Sequence, residues 1–232
     1  MAIGNRVFLK KPQDALPYLD AFRQLPAAVV ADCMSRLPAL SSEIKRMSSP
    51  KKPVMCGLAV TVKARSGDNL MLHKAMDIAG KDDVIVVSNE GDRSQSLMGE
   101  VMTTYAQYRG IEGIVLDAPI RDIEGISQMT FPLYAAGHTP GGPFKDGPGE
   151  INVPIACGKI QVCPGDIVLG DADGVIIIPR LDAAKILEEA QKYLIVDVHN
   201  FELAKTGSLE RSWIDKLFAV KSVDVIDDVY LS

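Results

Sequence analysis

Arg121 and Asp122 end the stretch LDAPIRD, residues 116–122, where an apolar run that begins at Gly113 stops on two opposite charges. Charges beside a core are costly unless they are paired, solvated or bound to a ligand. The pair therefore has two readings. One is a salt bridge on a loop, contributing about 0–1 kcal/mol; the other is a site that takes an anionic ligand and a cation together. A second polar turn, GDRSQSLMGE at 91–100, brings Asp92, Arg93 and Glu100 into consideration. Gly99 interrupts an otherwise helical segment there at a cost of about 1 kcal/mol relative to Ala, which points to close approach of another group. If the helix begins near Gly99 rather than Ser96, its free backbone N–H groups face the same loop end and favour an anion.

Other chemistries are poorly served. The cysteines at 33, 56, 157 and 163 form no Cys-x-x-Cys pair, and the three histidines, at 73, 138 and 199, are widely spread. A structural zinc site needs closely spaced thiolates or imidazoles. Four reduced thiols acting as small apolar side chains in a cytoplasmic protein is the simpler expectation. There is no dinucleotide fingerprint, phosphate loop or Gly-x-Ser-x-Gly elbow. GDADG at 170–174 lacks the twelfth-position Glu of a calcium loop and reads as a hairpin turn. A net charge of -5 gives no footprint for nucleic acid or for an anionic membrane. The first twenty residues lack the layout of a secretion signal, and no apolar run approaches the roughly 18 residues of a membrane helix.

The elements that must position these residues are legible in outline. A chain of 232 residues fits one large domain, expected here as a helical N-terminal segment (1–56), an α/β core (57–180) and C-terminal helices (181–232). Apolar spacing predicts helices over 15–24 and 26–36, from an Asp68 or Asn69 cap to Ala79, over 96–109 ending at Gly110, over 182–205 and over 208–218. Strands are expected at 57–62, 83–88, 113–117 and 131–135, then as short pieces at 151–155, 159–162, 166–169 and 175–178. Leu40–Pro53 and the Gly/Pro-rich 138–150 read as loops. Strand–helix–strand order suggests parallel pairing, and ligands in such layers gather at the carboxyl ends of the strands.

Glu100, followed after twenty residues by Arg121-Asp122, resembles the acidic-x20-Arg-Asp motif of the class II 4-hydroxy-4-methyl-2-oxoglutarate aldolase family, also called RraA-like after its ribonuclease-regulating member. SGDNLMLHKAMDIA at 66–79, SLMGEVMTTYAQYRGIEGIVLDAPIRD at 96–122 and INVPIACGKIQVCPGDIVLGDADGVIIIP at 151–179 extend the likeness over roughly 57–180.

The resemblance implies a swivelling β/β/α domain and a homotrimer or homohexamer. It implies Mg²⁺- or Mn²⁺-dependent cleavage of a 4-hydroxy-2-oxo acid to pyruvate, with oxaloacetate decarboxylation as a companion activity. It gives Asp122 to the metal, Arg121 to the keto acid, and Glu100 to metal-bound water or proton transfer. The backbone at Gly99, Val101 and Met102 would take the carboxylate, with Asn69 as a further contact; read from the residues alone, Asp92 either lines the pocket entrance or simply finishes a turn. Asn69 could equally be a helix cap, Asp117 a brace for Arg121 or for its turn, His73 a packed side chain, and His138 and Lys145 a solvated loop tip. In aldolase members a neighbouring subunit adds an acidic residue, for which Asp197 and Glu202 are candidates. Ala118-Pro119 departs from the Asp-Gly that many members carry before the Arg-Asp pair. A non-catalytic regulator of ribonuclease activity is the alternative.

Overall fold

A computed structural model describes residues 3–230. In chain order the elements are β1 (Asn5–Val7), α1 (Leu19–Phe22), α2 (Ala27–Asp32), β2 (Lys45–Arg46), β3 (Met55–Ala64), α3 (Leu70–Ile78), β4 (Asp83–Ser88), α4 (Glu100–Tyr108) and β5 (Gly113–Leu116). They continue as α5 (Ile123–Gln128), β6 (Leu133–Ala135), β7 (Gly149–Ile151), β8 (Ile155–Cys157), β9 (Ile160–Val162), β10 (Ile167–Gly170), β11 (Val175–Ile178), α6 (Ala183–Lys205) and α7 (Trp213–Val220). Expected as one domain, the chain divides into two compact units, 1–193 and 194–232.

The first unit is built on β3. Nine of its ten residues are buried, as befits a central strand covered on both faces. β3, β4, β5 and β6 lie side by side and parallel. On the other edge of β3, its first half pairs antiparallel with β10 and its end with β7. β10 and β11 form the hairpin expected around GDADG. Strand alternation then makes two cores. Val60, Val62, Ile85, Val87, Ile114 and Leu116 face α3, α4 and α5. Ala59, Val84, Val86 and Val115 face the β8–β9 hairpin and β10–β11. Each such aliphatic side chain taken out of water contributes roughly 1.5–3 kcal/mol.

The differences from expectation have local causes. The helix expected over 15–24 is a 3₁₀ turn at Leu16–Tyr18, with Pro17 in its first turn, followed by the four-residue α1. α2 stops at Asp32, since Ser35 and Arg36 both take positive φ. The expected loop over 40–53 hides β2, whose Lys45 and Arg46 pair with β6 although both side chains are exposed. The strand expected over 151–155 is two, β7 and β8, parted by Asn152 at φ 58°. α4 starts at Glu100, because 96–99 runs extended and Met98 bridges to Ile120. α5 had no periodic apolar signal, as it has one buried residue, Ile126.

The second unit carries the end of α6 and α7. No α7 side chain is buried, and Trp213, Leu217, Phe218 and Val220 are exposed. Among the described residues no helix is long and apolar enough to cross a membrane.

Candidate functional site

The carboxyl ends of four parallel strands deliver four loops to one place, and short bridges knit those loops together. Phe144 pairs with Asp68, Met98 with Ile120, and Ile120 with His138. The backbone N–H of Leu97 donates to the Pro119 carbonyl at 3.0 Å, and that of Arg121 to the Met98 carbonyl at 3.0 Å. The loop after β4 and the loop after β5 thus run as a two-stranded ribbon ending at Gly99 and Asp122.

At that end the expected residues meet. The Glu100 N–H donates to Asp122 Oδ2 at 3.0 Å. Arg121 Nε lies 3.7 Å from the same oxygen, with both side chains nearly half exposed. Gly99 explains its own residue type: a Cβ there would stand 2.2 Å from Asp122 Oδ2 and 2.9 Å from Arg121 Cγ. Gly125 does the same for the Glu100 carboxylate, which would lie 2.6 Å from its Cβ. Asp122 adopts the left-handed conformation, φ 57° and ψ 38°. An Asp tolerates that region better than most residues, and such backbone clusters at functional sites.

α4 begins here with an acidic residue and free donors. The N–H groups of Val101 and Met102 take no protein acceptor among the described residues, so they present the anion-attracting end of a nine-residue helix. Asn69 is buried beneath it. Its Nδ2 donates to the Leu97 carbonyl at 2.8 Å and approaches Met102 Sδ at 3.5 Å, while its Oδ1 is buried without a partner. Asn69 occupies the cap position of α3 without a side-chain capping bond. Asp68 takes that task, its Oδ1 accepting from the Leu70 N–H at 2.9 Å. Asp68 Oδ2 also accepts from the N–H groups of Asp146 and Gly147, which ties the Gly/Pro loop down. That loop passes close to Arg121: a Cβ on Gly142 would lie 3.4 Å from Nη1.

His73 lies beside the same helix start. His73, Val101 and Met102 line one side of an open cleft of about 550 Å³. Burial, and then the Lys145 ammonium, hold the His73 imidazole below its ordinary range, and its Nε2 has no partner. Asp68 anchors the loop that carries Lys145, which no spacing in the sequence signals.

Asp92 and Asp117 make local turn and loop contacts, one of the two readings left open for each. The Asp92 carboxylate closes its own turn, accepting from Ser94 Oγ at 2.6 Å and from the Ser94 and Gln95 N–H groups. The Ser94 hydroxyl bond holds its pKa below the usual carboxylate range. Asp117 braces Arg93 rather than Arg121, with Nη2 at 2.6 Å from Oδ1, and Oδ2 accepts from the Gly158 N–H at 3.1 Å. Asp197 and Glu202 lie in the second unit on exposed positions, Glu202 paired with Lys205 at 2.8 Å.

For a metal, the donors at hand are the carboxylates of Asp122 and Glu100. No group of three or more His, Cys, Asp or Glu suited to a metal ion exists among the described residues. Asp122 commits one oxygen to the Glu100 N–H, and the Glu100 carboxylate accepts no hydrogen bond among the described residues. Such a set fits a hard cation that keeps several waters, as Mg²⁺ does, and is wrong for tetrahedral zinc.

The ribbon of loops over a parallel sheet, with an acidic residue at a helix start facing an Arg-Asp pair, defines a class that sequence comparison then identifies. The profile described as RraA-like, Aldolase/RraA, matches residues 27–177, and the chain belongs to that family. It is 35% identical over 210 residues to a protein of Halalkalibacterium halodurans provisionally named 4-hydroxy-4-methyl-2-oxoglutarate aldolase, covering 90% of this chain and 95% of that one. Among solved structures it is similar to an uncharacterized protein from Pseudomonas syringae, with TM-score 0.71 and 25% identity over 85% of this chain and 96% of that chain. It is also similar to the RNA-processing inhibitor RraA of Thermus thermophilus, with TM-score 0.61 and 26% identity over 66% of this chain and 92% of that chain.

Proposed function

We propose that the protein is a divalent-metal-dependent carbon–carbon lyase that cleaves a 4-hydroxy-2-oxo acid to pyruvate and decarboxylates oxaloacetate. Relatives that carry aldolase names support the lyase reading. The observation that carries it is the meeting of Asp122, Arg121 and the start of α4 around Gly99.

The substrate carboxylate binds the Val101 and Met102 N–H groups, where the helix end favours negative charge. Arg121 offers a planar fork to the 2-oxo oxygen or the carboxylate. As the C3–C4 bond breaks, its electron pair moves toward the 2-oxo group and the Arg121 guanidinium meets the growing charge. Asp122 would hold Mg²⁺ or Mn²⁺, with Glu100 anchoring its water shell, and the ion when bound supplies Lewis-acid polarisation of the 2-oxo acid. In cleavage the 4-hydroxyl must lose its proton as the C3–C4 bond breaks, and Glu100 is the group that would take it. Decarboxylation needs no such base, so it survives a weak one.

A coupled pyruvate-release assay with oxaloacetate and with 4-hydroxy-4-methyl-2-oxoglutarate, with and without Mg²⁺ or Mn²⁺, tests the reading. Metal-dependent release from both substrates is expected, and no release from either under any metal condition would overturn it. The second reading, a protein that regulates a ribonuclease by binding it, draws on the likeness to the Thermus inhibitor. An Asp122 variant that has lost turnover but still inhibits a ribonuclease would favour it.

Four unpaired cysteines among the described residues fit a reducing cytoplasm. A trimer or a pair of trimers is expected from kinship, and the exposed Leu70, Val101, Tyr105 and Tyr108 on α3 and α4 support contact between copies. Sedimentation gives the order of the assembly.

A further inference from the structure

The other face of the sheet carries a second polar place at the same strand ends. Along β3, β4 and β5 the positions facing the β8–β9 hairpin run Ala59, Thr61, Lys63, then Val84, Val86, Ser88, then Val115, Asp117. Lys63 is the register partner of Ser88, and the Asp117 N–H donates to the Val87 carbonyl at 3.0 Å. Lys63, Ser88 and Asp117 therefore form one row across three adjacent strands, polar where the rows below are mainly apolar. The row leads into an open cleft of about 650 Å³ that Ile155, Lys159 and Gln161 of the hairpin also line. That size falls within the roughly 300–1,000 Å³ of small-molecule sites, and the carboxyl ends of strands are where α/β layers take ligands.

The cleft is lined by two carboxylates, Glu90 and Asp117, and two ammonium groups, Lys63 and Lys159. Asp117 is answered by Arg93 at 2.6 Å and by the Gly158 N–H. Glu90 accepts from Ser66 Oγ at 3.0 Å. Lys63 is the register partner of Glu150, a carboxylate held ionised first by Arg6, its ion-pair partner, and also by the Lys63 ammonium. Neither Lys63 nor Lys159 has an ion-pair partner within 4.0 Å among the described residues, and the Ser88 hydroxyl has no hydrogen-bond partner there either. Lys159 also holds an unusual place. It is the second residue of the two-residue β8–β9 turn, at φ 72° after Gly158 at φ 52°, where Gly or Asn is the usual choice. A lysine there spends backbone freedom to put an ammonium at the cleft.

We propose that this cleft binds a small organic anion, its carboxylate or phosphate held by Lys63 and Lys159 with the Ser88 hydroxyl as a neutral donor, and its apolar body against Ile155. The site lies on the opposite sheet face from Arg121 and Asp122 and is independent of the lyase reading. Titration calorimetry of the full chain with benzoate, phenyl phosphate and inorganic phosphate tests it, and the tighter of the first two names the head group. Saturable binding of benzoate or phenyl phosphate is expected, weakened at least about tenfold by the Lys63→Gln, Lys159→Gln double variant and retained by the Lys63→Arg, Lys159→Arg pair. Pyruvate release and melting temperature should be unchanged in both variants, since both lysines are exposed. No saturable binding by any probe, equal binding in the Gln variant, or binding lost instead in an Arg121→Ala variant would overturn the proposal.

Discussion

Two arginine–aspartate pairs stand at the two ends of one short loop and differ in almost every respect. At its start Asp117 is largely buried, with Arg93 at 2.6 Å and a backbone N–H on its second oxygen. At its end Arg121 and Asp122 are nearly half exposed and 3.7 Å apart. The first pair uses up its bonding capacity within the protein and fixes the loop to the β8–β9 turn. The second leaves a guanidinium fork and a carboxylate oxygen open to solvent, next to free N–H groups of a helix. Identical charges thus serve as a brace in one place and as a binding surface in the other. What separates them is whether their bonds close inside the fold.

Variants can sharpen or break that contrast. Asp122→Asn should have the largest effect: metal-dependent pyruvate release is abolished while the melting temperature holds. Asn suits the left-handed backbone at 122 better than Ala would, so a loss of turnover reports the charge. Unaltered rates would remove Asp122 from the site. Arg121→Ala should lower kcat by about 10²–10³, as loss of a preorganised charge contact typically does. A change in melting temperature alone would make it a brace like Arg93. Gly99→Ala should cost up to about 10² in turnover, because the new Cβ would displace Asp122 Oδ2 from a point 2.2 Å away. Circular dichroism should show the fold intact, and wild-type turnover would mean that the packing at Gly99 is looser than the structure has it. Asp117→Ala should act on stability instead. It strands the Gly158 N–H and takes from Arg93 its shortest partner, leaving it the Asp92 and Asp117 carbonyls and Glu43, costing about 1–3 kcal/mol in denaturant unfolding with kcat nearly unchanged. A large loss of turnover without loss of stability would erase the contrast between the two pairs.

Much of this was legible in the residues. β4 and β5 follow from continuous aliphatic runs with clear stops, and the helix end at Gly110 follows from its positive φ. The odd glycine at 99 correctly signalled close approach, and its partner proved to be the Arg121-Asp122 pair. Less was legible where order comes from distant contacts. β2 is two charged residues whose strand geometry exists only because β6 pairs with it. Of the two caps the sequence offered for α3, Asp68 serves, and the same Asp68 carboxylate pins the loop at Asp146 and Gly147. Asp92 and Asp117 illustrate the same limit, because their roles depend on which donors the folded chain brings within reach.

By itself the sequence determined the alternation of strands and helices, the family and the identity of the charged residues, since these rest on local periodicity and on motifs carried by neighbouring positions. Only the tertiary structure decided which carboxylates are spent and which are free. A charge is neutralised by whatever lies within about 4 Å of it, and that company is assembled from segments far apart along the chain.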